Sequence, residues 1–271
     1  PDGRGLFCQF GGAEAVAATH ASRELVRCVA PASVSSLPGV VPVRVLNNDA
    51  VYTSVVAFTY RTPAGVERIH PVAGARGGGT LVTVYGTGFV ESVSTRCRFG
   101  DTAVAARLLV AGQLECMSPR PSTSGYALLE VTMNEQDYSS DGTLFEFQPE
   151  VAVLAVEPSR GPLDGGTFVN VTGSGFSHRA ALLGYLWCRF NQTAVVAAWV
   201  SESEVSCISP EHDGGVVAVE LTQNEQQYTG DGVSFEYEHV VAHSIYPNSG
   251  PSQGGTLVEV RGGNMEVPDG R

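Results

Sequence analysis

One glycine-rich segment occurs three times in this chain of 271 residues. Each copy begins with Pro and ends with Gly-Gly-Thr; the copies are PVAGARGGGT at 71–80, PSRGPLDGGT at 158–167 and PNSGPSQGGT at 247–256. A repeat of this kind constrains the fold more than chain length does, because each copy marks the start of one structural unit. The sequence therefore predicts a series of similar modules.

The residues after each copy alternate between apolar and polar side chains. These stretches are LVTVYGTGF at 81–89, FVNVTGSGF at 168–176 and LVEVRGGNM at 257–265. Alternation with period two indicates a strand with one buried face. The 32 glycines and 15 prolines, set among many Val, Thr, Phe and Tyr, favour short strands joined by turns over long helices. We therefore expect an all-β fold.

The six cysteines fall into three pairs, and the first member of each pair begins a Cys-x-Phe motif. The pairs are Cys8 with Cys28, Cys97 with Cys116, and Cys188 with Cys207, at separations of 20, 19 and 19 residues. No pair has the short spacing of a zinc site, so one disulfide per module is predicted, with free buried thiols or a metal site as the alternatives. Each disulfide would contribute roughly 3 kcal/mol in the chain-entropy model. Disulfides also imply an extracellular or cell-surface location.

A third repeated segment closes each module. Its copies are NNDAVYTSVVAFTY at 47–60, NEQDYSSDGTLFEF at 134–147 and NEQQYTGDGVSFEY at 224–237. The dipeptides Asp141-Gly142 and Asp231-Gly232 predict tight hairpin turns, because Gly reaches the positive φ that such turns need. Only a few residues separate a closing segment from the next opening strand. Short linkers without a Gly/Ser tract predict a stiff rod of modules.

The repeats divide the chain into two whole modules, at 62–149 and 150–238, and two partial ones. Residues 1–61 form the C-terminal part of a module and residues 239–271 the N-terminal part of another. Both ends carry Pro-Asp-Gly-Arg, and joining the partial modules through it gives a stretch about as long as a whole module. We interpret the start as a cut and the chain as one three-module period of a longer polymer; a chance match is the alternative.

The order of these motifs resembles the IPT/TIG domain family, and the resemblance covers nearly the whole chain. The matching residues are clearest in 151–237: Pro158, Gly161, Pro162, Gly165, Gly166, Thr167, Gly173, Gly175, Phe176, Cys188, Phe190, Cys207, Asn224, Gln226, Tyr228, Phe235 and Tyr237. The resemblance implies immunoglobulin-like β-sandwich modules. Departures are Ala75 in place of the second Pro of one opening, Asn47-Asn48-Asp49 in place of Asn-x-Gln, and a loosened motif at 261–265. Because family members occur in receptors, transcription factors and secreted enzymes, the family leaves function open.

Two sequons predict N-linked glycans, at Asn170 and Asn191. Asn191 is the better candidate, because it follows Phe190 at a predicted strand end where the neighbouring modules have Gly.

Other chemistry is not expected. The net charge of −12 opposes nucleic-acid binding, and no nucleophile elbow or metalloprotease motif occurs, so the chain is predicted not to be an enzyme. Turn geometry explains the glycines at 77–79 and 86–88 better than phosphate binding does.

No metal site is expected either. His239 and His243 would lie about 13 Å apart on a strand, too far for one metal. The acids of the closing segments could be calcium ligands, but such turns are commonly just solvated, so no cofactor is expected; these acids are Glu135, Asp137, Asp141, Glu225 and Asp231.

The leading hypothesis is a structural module array of an extracellular filament. Its expected partners are other copies of the chain or neighbouring modules, and other extracellular proteins. The alternatives are a stalk of a receptor or adhesion ectodomain and an accessory carbohydrate-binding module, although Trp187 and Trp199 are expected to serve packing. No apolar run reaches 18 residues, so no membrane insertion is expected in this stretch.

Overall fold

A computed structural model describes residues 5–47, 50–122, 124–239 and 241–264. The two Pro-Asp-Gly-Arg segments, the pair Asn48-Asp49 and Met265 lie outside the described residues. Apart from one short helix the described elements are strands, as the alternating pattern predicts. No helix of the described ranges has the length and apolar character to cross a membrane.

The first part of the chain, residues 5–60, forms one four-stranded sheet and a separate small hairpin. The sheet has the order β2-β1-β5-β6, and β3 pairs with β4. The strands are β1 Leu6–Phe10, β2 Val16–Ala17, β3 Thr19–Ser22, β4 Leu25–Arg27, β5 Gly39–Asn47 and β6 Ala50–Tyr60.

The second module folds into two layers connected by one long strand. Its sheet order is β7-β9-β12-β11-β10-β13-β14-β8, and β11 pairs with β10 through its first half and with β12 through its second half. The layers face each other as in an immunoglobulin-like sandwich. The strands are β7 Gly65–His70, β8 Ala73–Ala75, β9 Leu81–Thr87, β10 Arg96–Phe99, β11 Thr102–Val110, β12 Gln113–Met117, β13 Gly125–Thr132 and β14 Leu144–Gln148.

The third module repeats this arrangement with two separate sheets. Their orders are β15-β17-β21-β20 and β16-β23-β22-β18-β19, and the counterpart of β11 is divided into β19 and β20 at the buried Ala197. The elements are β15 Ala152–Glu157, β16 Arg160–Pro162, β17 Phe168–Ser174, α1 His178–Leu182, β18 Trp187–Phe190, β19 Thr193–Val196, β20 Ala198–Ser201, β21 Glu204–Ile208, β22 Gly215–Thr222 and β23 Ser234–Glu238.

The last described part is a hairpin of β24 Val241–Tyr246 and β25 Glu259–Gly263. Only residues 61–64, 149–151 and 239–240 separate the strands of successive parts, in agreement with the short linkers predicted.

A disulfide crosses the layers of each whole module. It joins Cys97 of β10 to Cys116 of β12 in the second module, and Cys188 of β18 to Cys207 of β21 in the third. All four cysteines are buried, within clusters that include the aromatic rings of the closing strands. Cys8 pairs with Cys28 in the first part, so each pair is the one that the sequence spacing predicts.

The Gly-Gly-Thr turn contacts the segment after the second cysteine, and this contact accounts for the recurrence of both motifs in each module. Gly78 and Gly79 both have φ of 79°, where L side chains are strained, and a Cβ on Gly78 would lie 2.8 Å from the backbone of Arg120. The turn lies against the segment after the second cysteine: Gly79 donates to the Ser118 carbonyl at 2.9 Å, and the Thr80 amide donates to the Ser118 hydroxyl at 3.0 Å.

Gly142 and Gly232 have the predicted positive φ, 72° and 77°, and the flanking strands pair antiparallel, but the predicted tight turns between them are not formed. Residues 133–143 connect β13 to β14, and the Asp141 carboxylate instead accepts a hydrogen bond from the Val66 amide of the first strand, at 2.7 Å. Asp231 holds the Val153 amide in the same way, at 2.7 Å. These aspartates link the closing segment of a module to its opening strand, a long-range role that local turn propensity does not reveal. In the first part, by contrast, β5 and β6 pair directly up to Asn47 and Ala50.

The variant Asp141→Ala should lower the free energy of unfolding of the second module by about 1–3 kcal/mol, because the Val66 amide loses a charged acceptor. Glu91→Ala, which removes an exposed carboxylate of the same module, is the matched control and should change it by less than about 0.5 kcal/mol. Urea unfolding monitored by circular dichroism measures the free energy of unfolding of both variants. Equal effects of the two substitutions would contradict this role of Asp141.

Candidate functional site between the second and third modules

Polar side chains of the third module form hydrogen bonds with the Gly-Gly-Thr turn of the second module and with the residue after it, Gly78–Leu81, which we name the opening turn. Gln226 pairs with both backbone groups of Leu81: its side-chain oxygen accepts from the Leu81 amide at 2.7 Å, and its side-chain amide donates to the Leu81 carbonyl at 2.9 Å. An extended residue that bonds through both groups in this way behaves as if paired with a neighbouring strand. We name residues 224–227 the latch loop of the third module.

Two further residues of this latch loop surround the Thr80 hydroxyl. Gln227 accepts from Thr80 Oγ1 at 2.9 Å and donates from its amide to the Gly79 carbonyl at 2.9 Å. Asn224 donates to Thr80 Oγ1 at 3.1 Å and to Gln227. Asn224 is 5% exposed, so its amide is removed from water by this contact. Buried amides that find all partners specify one arrangement, because any other leaves a polar group unpaired.

The backbone of the latch loop is built by its own sequence. Asn224 Oδ1 accepts from the amides of Gln226 and Gln227 at 3.1 and 3.0 Å, which is a side-chain mimic of a backbone turn. Glu225 between them has φ of 62°. The Asn-x-Gln spacing therefore presents both glutamine side chains on the outer face of the turn.

Tyr228 anchors the latch loop to the body of its own module. The Arg189 guanidinium lies 3.7 Å from the centre of the Tyr228 ring and also bonds the Glu220 carboxylate. In the second module Arg98, Glu130 and Tyr138 form the same arrangement, with 3.8 Å from guanidinium to ring. The Arg of the Cys-Arg-Phe motif and the Tyr of the closing segment thus act together.

Four extra residues of the third module make a second contact with the second module. Phe176 and Cys188 are 12 positions apart, whereas Phe89 and Cys97 are 8 apart, and the longer segment contains α1. Ser177 caps α1 by accepting from the Ala180 amide at 3.2 Å. The insertion explains why helix α1 occurs among the strands of the third module.

The segment with α1 presents a charged and an aromatic side chain to the second module. Arg179 pairs with Glu146 of β14 at 3.0 Å and lies 5.6 Å from the ring centre of Tyr126. The Tyr185 hydroxyl lies 3.2 Å from His70 Nδ1. Val72 lies between the modules and packs against the cores of both. Polar and apolar contacts thus restrain the junction on two sides of the linker.

The linker lies beside a cleft of about 220 Å³. Its walls include Gln148, Pro149, Glu150 and Val151 of the linker region and Asn224 of the latch loop. The described residues contain no group of three or more His, Cys, Asp or Glu side chains that could hold a metal ion. Neutral amides dominate the latch-loop side of the junction, so the chemistry of that side is suited to recognition of a backbone segment.

The two predicted glycosylation residues occupy different positions in the third module. Asn170 lies in the middle of β17, which pairs on both sides, with Val169 and Val171 buried and Asn170 on the opposite face. Asn191 is exposed in the turn after β18 with φ of 55°. Gly11 and Gly100 hold the equivalent positions at 58° and 59°, and Asn is the residue that best replaces Gly in this conformation.

Asn191 should carry an N-linked glycan when the chain is made in a secretory host, because its side chain is exposed in a turn and its one side-chain contact, with His212 Nε2 at 3.2 Å, is itself exposed. Endoglycosidase treatment should then lower the mass of the protein. Asn191→Gln should abolish most of this loss, whereas Asn170→Gln should preserve it. A mass unaffected by the enzyme, or a loss unchanged in Asn191→Gln, would remove this assignment.

The other residues considered from the sequence take packing or surface roles. Trp199 packs against the core of the third module and donates to the Phe176 carbonyl at 3.1 Å; Trp187 donates to the Gly184 carbonyl at 2.8 Å. His239 accepts through its backbone carbonyl from the Asn264 amide at 3.1 Å. The acidic residues of the closing segments are divided between loop bonds, such as Asn134 to Asp137 at 2.7 Å, and the Asp141 and Asp231 contacts with opening strands.

Sequence reasoning missed the latch loop as a site. The Asn-x-Gln-x-Tyr motif recurs in the second and third modules. This recurrence shows that the two modules have these residues in common, but it does not show what the residues contact. Their partners are the backbone of Gly79 and Leu81 and the Thr80 hydroxyl, about 145 positions away along the chain, and a contact between such distant segments leaves no local pattern to recognise.

Tandem disulfide-bonded immunoglobulin-like modules, joined by a polar junction, define a class of extracellular module array. The family model of the IPT/TIG domain matches residues 64–147 and 152–237. The chain belongs to the IPT/TIG domain family.

Its relatives are much longer proteins. Fibrocystin-L of Mus musculus is 24% identical over 205 residues, which is 76% of this chain and 5% of that protein. Plexin-B2 of Mus musculus is 31% identical over 123 residues, 45% of this chain and 7% of that protein. The solved plexin A4 extracellular region aligns with a TM-score of 0.47 and 15% identity, over 90% of this chain and 27% of that chain.

The chain thus spans only a small fraction of the proteins that it resembles. The three disulfides require an oxidising compartment, and the relatives are plexins and fibrocystin-L. The chain is therefore an extracellular or cell-surface one.

Gln226→Ala should increase the hydrogen-exchange rate of the Leu81 amide about fivefold, because one hydrogen bond is worth roughly 1 kcal/mol. Gln136→Ala replaces the equivalent residue of the second module and should leave Leu81 unchanged. Hydrogen exchange measured by NMR reports both. Equal exchange of Leu81 in the wild type and Gln226→Ala would show that the latch loop does not hold the second module in solution.

Proposed function

We propose that this chain is part of a stalk in an extracellular receptor or adhesion protein, where it holds other parts of that protein at a fixed distance and angle. The carrying observation is the junction of the second and third modules. At this junction the linker has only three residues. The latch loop and the α1 segment of the third module each form separate contacts with the second module. A stalk transmits orientation only if such boundaries do not rotate.

The chemistry of the junction suits this role. The bonds from Gln226 and Gln227 to backbone groups are neutral, so they persist at the salt concentration outside cells, whereas the partly exposed Arg179–Glu146 pair is screened. The linker includes Pro149, which limits backbone rotation. Plexins and fibrocystin-L among the relatives support an ectodomain role. Its expected partners are extracellular proteins, and catalysis forms no part of the proposal.

A distance measurement between the modules tests the stalk. Spin labels on Glu91 and Glu211, both exposed, would report the distribution of separations between the second and third modules. The wild type should give one narrow distribution, and the triple variant Arg179→Ala, Gln226→Ala, Gln227→Ala a clearly broader one. The matched control Arg107→Ala, Gln136→Ala, Asp137→Ala should remain narrow. A wild-type distribution as broad as that of the triple variant would refute a fixed junction.

A structural segment of an extracellular filament is the second candidate function. Its support is the complementarity of the two partial modules in sequence, since 241–264 supplies an opening and 5–60 a cysteine pair with closing strands. In such a filament the contacts between modules would be the assembly contacts. Electron microscopy of the native material separates the two candidates, because a filament appears as a continuous fibre and a stalk as a short rod of fixed length.

A further inference from the structure

The face of β13 and β14 that points away from the core of the second module carries a group of exposed apolar side chains. Leu128 of β13 lies opposite Leu144 of β14. Both side chains point outward, because the next residue along each strand, Leu129 or Phe145, is buried. Leu128 and Leu144 are 46% and 50% exposed, and Tyr126, two residues before Leu128 on the same face, is 57% exposed. Three large and mostly apolar side chains therefore meet water side by side.

The other modules have the same strands without these leucines. The equivalent pair of positions holds Ala218 and Ser234 in the third module, and Pro42 and Ala57 in the first part of the chain. The positions are equivalent because in each case the closing strand continues with the phenylalanine of the repeated motif. The fold of a module therefore does not require large aliphatic side chains here, and the two leucines need another explanation.

The apolar surface continues onto the α1 segment of the third module. Leu182 and Leu183 follow Arg179 by three and four residues, and side chains at these spacings lie on one side of a helix. Leu182 is 75% exposed and Leu183 is 38% exposed. On that side Arg179 pairs with Glu146 and lies 5.6 Å from the ring centre of Tyr126. The two leucines therefore lie beside the contact of α1 with the second module.

Both halves of this surface are departures from the repeat of the modules, and they meet at one junction. α1 lies in the segment that is four residues longer in the third module than in the second. The pair of leucines is present in the second module, whereas the equivalent pairs contain no large aliphatic side chain. We name Tyr126, Leu128, Leu144, Leu182 and Leu183 the junction patch. Exposed apolar side chains that adjoin in this number are typical of sites where another protein binds.

The third module, which supplies two of the five residues of the junction patch, is strongly acidic. Residues 150–238 contain twelve acidic side chains and three arginines. Each of the three arginines pairs with a carboxylate: Arg160 with Glu238, Arg179 with Glu146 and Arg189 with Glu220. The positive charges of this module are therefore compensated within the chain, and its remaining carboxylates give its surface a negative potential.

The second module adds a negative charge beside the junction patch. Asp101 is exposed in the turn between β10 and β11. The Gly100 amide of this turn donates to the Leu128 carbonyl at 2.8 Å, so the turn adjoins the patch. The carboxylates on the same sheet face, Glu130 and Glu146, are paired with arginines. The junction patch thus combines an apolar centre with acidic surroundings.

We propose that the junction patch is the docking site of a second extracellular protein, whose contact surface has an apolar centre and Lys or Arg side chains around it. The central side chains of such a contact supply affinity, since they leave water on binding. The surrounding charges of opposite sign accelerate the encounter and disfavour acidic competitors. This composition of the partner follows from the two properties of the patch, its exposed apolar side chains and its acidic surroundings.

A partner of opposite charge fits this surface better than a second copy of the chain does, because two copies would each bring a net charge of −12. The proposal rests on the stalk function in one respect. The two halves of the junction patch lie on different modules, Tyr126 on the second and Leu182 on the third, so the patch is continuous only while their junction is fixed. The partner would therefore bind one orientation of the two modules.

Selection of peptides from a phage-displayed library of random sequences tests the proposal. The whole chain 1–271 is the bait, and the variant Leu128→Ala with Leu144→Ser removes peptides that bind elsewhere. This variant carries the residues of the third module at the two positions, so the sheet accommodates them. The enriched peptides should combine aromatic or aliphatic residues with Lys and Arg. In fluorescence anisotropy, the synthesised peptides should bind the variant about tenfold more weakly than the wild type, and their affinity should fall as the salt concentration rises.

The matched control is Val93→Ser with Val110→Ser, which alters two exposed apolar residues of the second module outside the patch. It should bind the peptides like the wild type. Leu182→Ser should weaken the same peptides, because Leu182 belongs to the other half of the patch. Peptides that bind the wild type and the double leucine variant equally, or enrichment of acidic peptides, would overturn the proposal.

Sedimentation velocity distinguishes a different protein from a second copy as the occupant. The wild type and the double leucine variant should sediment identically. Oligomers of the wild type that disappear in the variant would assign the patch to a second copy and overturn the proposal.

The spin-label distances between Glu91 and Glu211 distinguish failure of this proposal from failure of the stalk. A narrow wild-type distribution, without any peptide that depends on the two leucines, refutes the docking site alone. A broad wild-type distribution refutes the fixed junction, and with it the continuous patch.

Discussion

Pairing between the opening strand and the strand that carries the second cysteine is the contact on which each module depends. It buries Val82 and Val84 in the second module and places Cys116 beside the layer that holds Cys97. Once this pair forms, the disulfide joins the layers, the Gly-Gly-Thr turn lies against Ser118, and Asp141 reaches the first strand. The opening and closing segments of a module are distant in sequence and are joined by these contacts.

The same opening turn also serves the next module. Its inner side packs on its own module, and the backbone groups of Gly79 and Leu81 and the Thr80 hydroxyl on its outer side bond to the latch loop. The opening turn therefore contributes both to the packing of the second module and to the contact between the second and third modules. A change in the turn would be expected to alter both stability and module orientation, whereas a change at Gln226 affects the boundary alone.

Much of the fold could be predicted from the sequence. The alternation at 81–89 and 168–176 indicated β9 and β17, the spacing of the cysteines indicated the pairs, and the resemblance indicated the family that the matching of 64–147 and 152–237 shows. The positive φ of Gly142 was predicted correctly and the tight turn was not, because residues 133–143 form a long connection in which Asp141 bonds the distant Val66 amide. The helix α1 was not predicted, although the longer spacing from Phe176 to Cys188 marked the insertion.

The sequence by itself determined the repeat of similar modules, most of the strands and the cysteine pairs, because these follow from periodicity and from repeated motifs within one unit. Only the tertiary structure decided what the shared Asn, Gln and Tyr of the closing segments do. Gln226 binds backbone, which any residue at position 81 would offer, and the contact arises from the placement of one module on the next. Burial of Asn224 and exposure of Asn134 differ for the same reason: two nearly identical loops meet different surroundings.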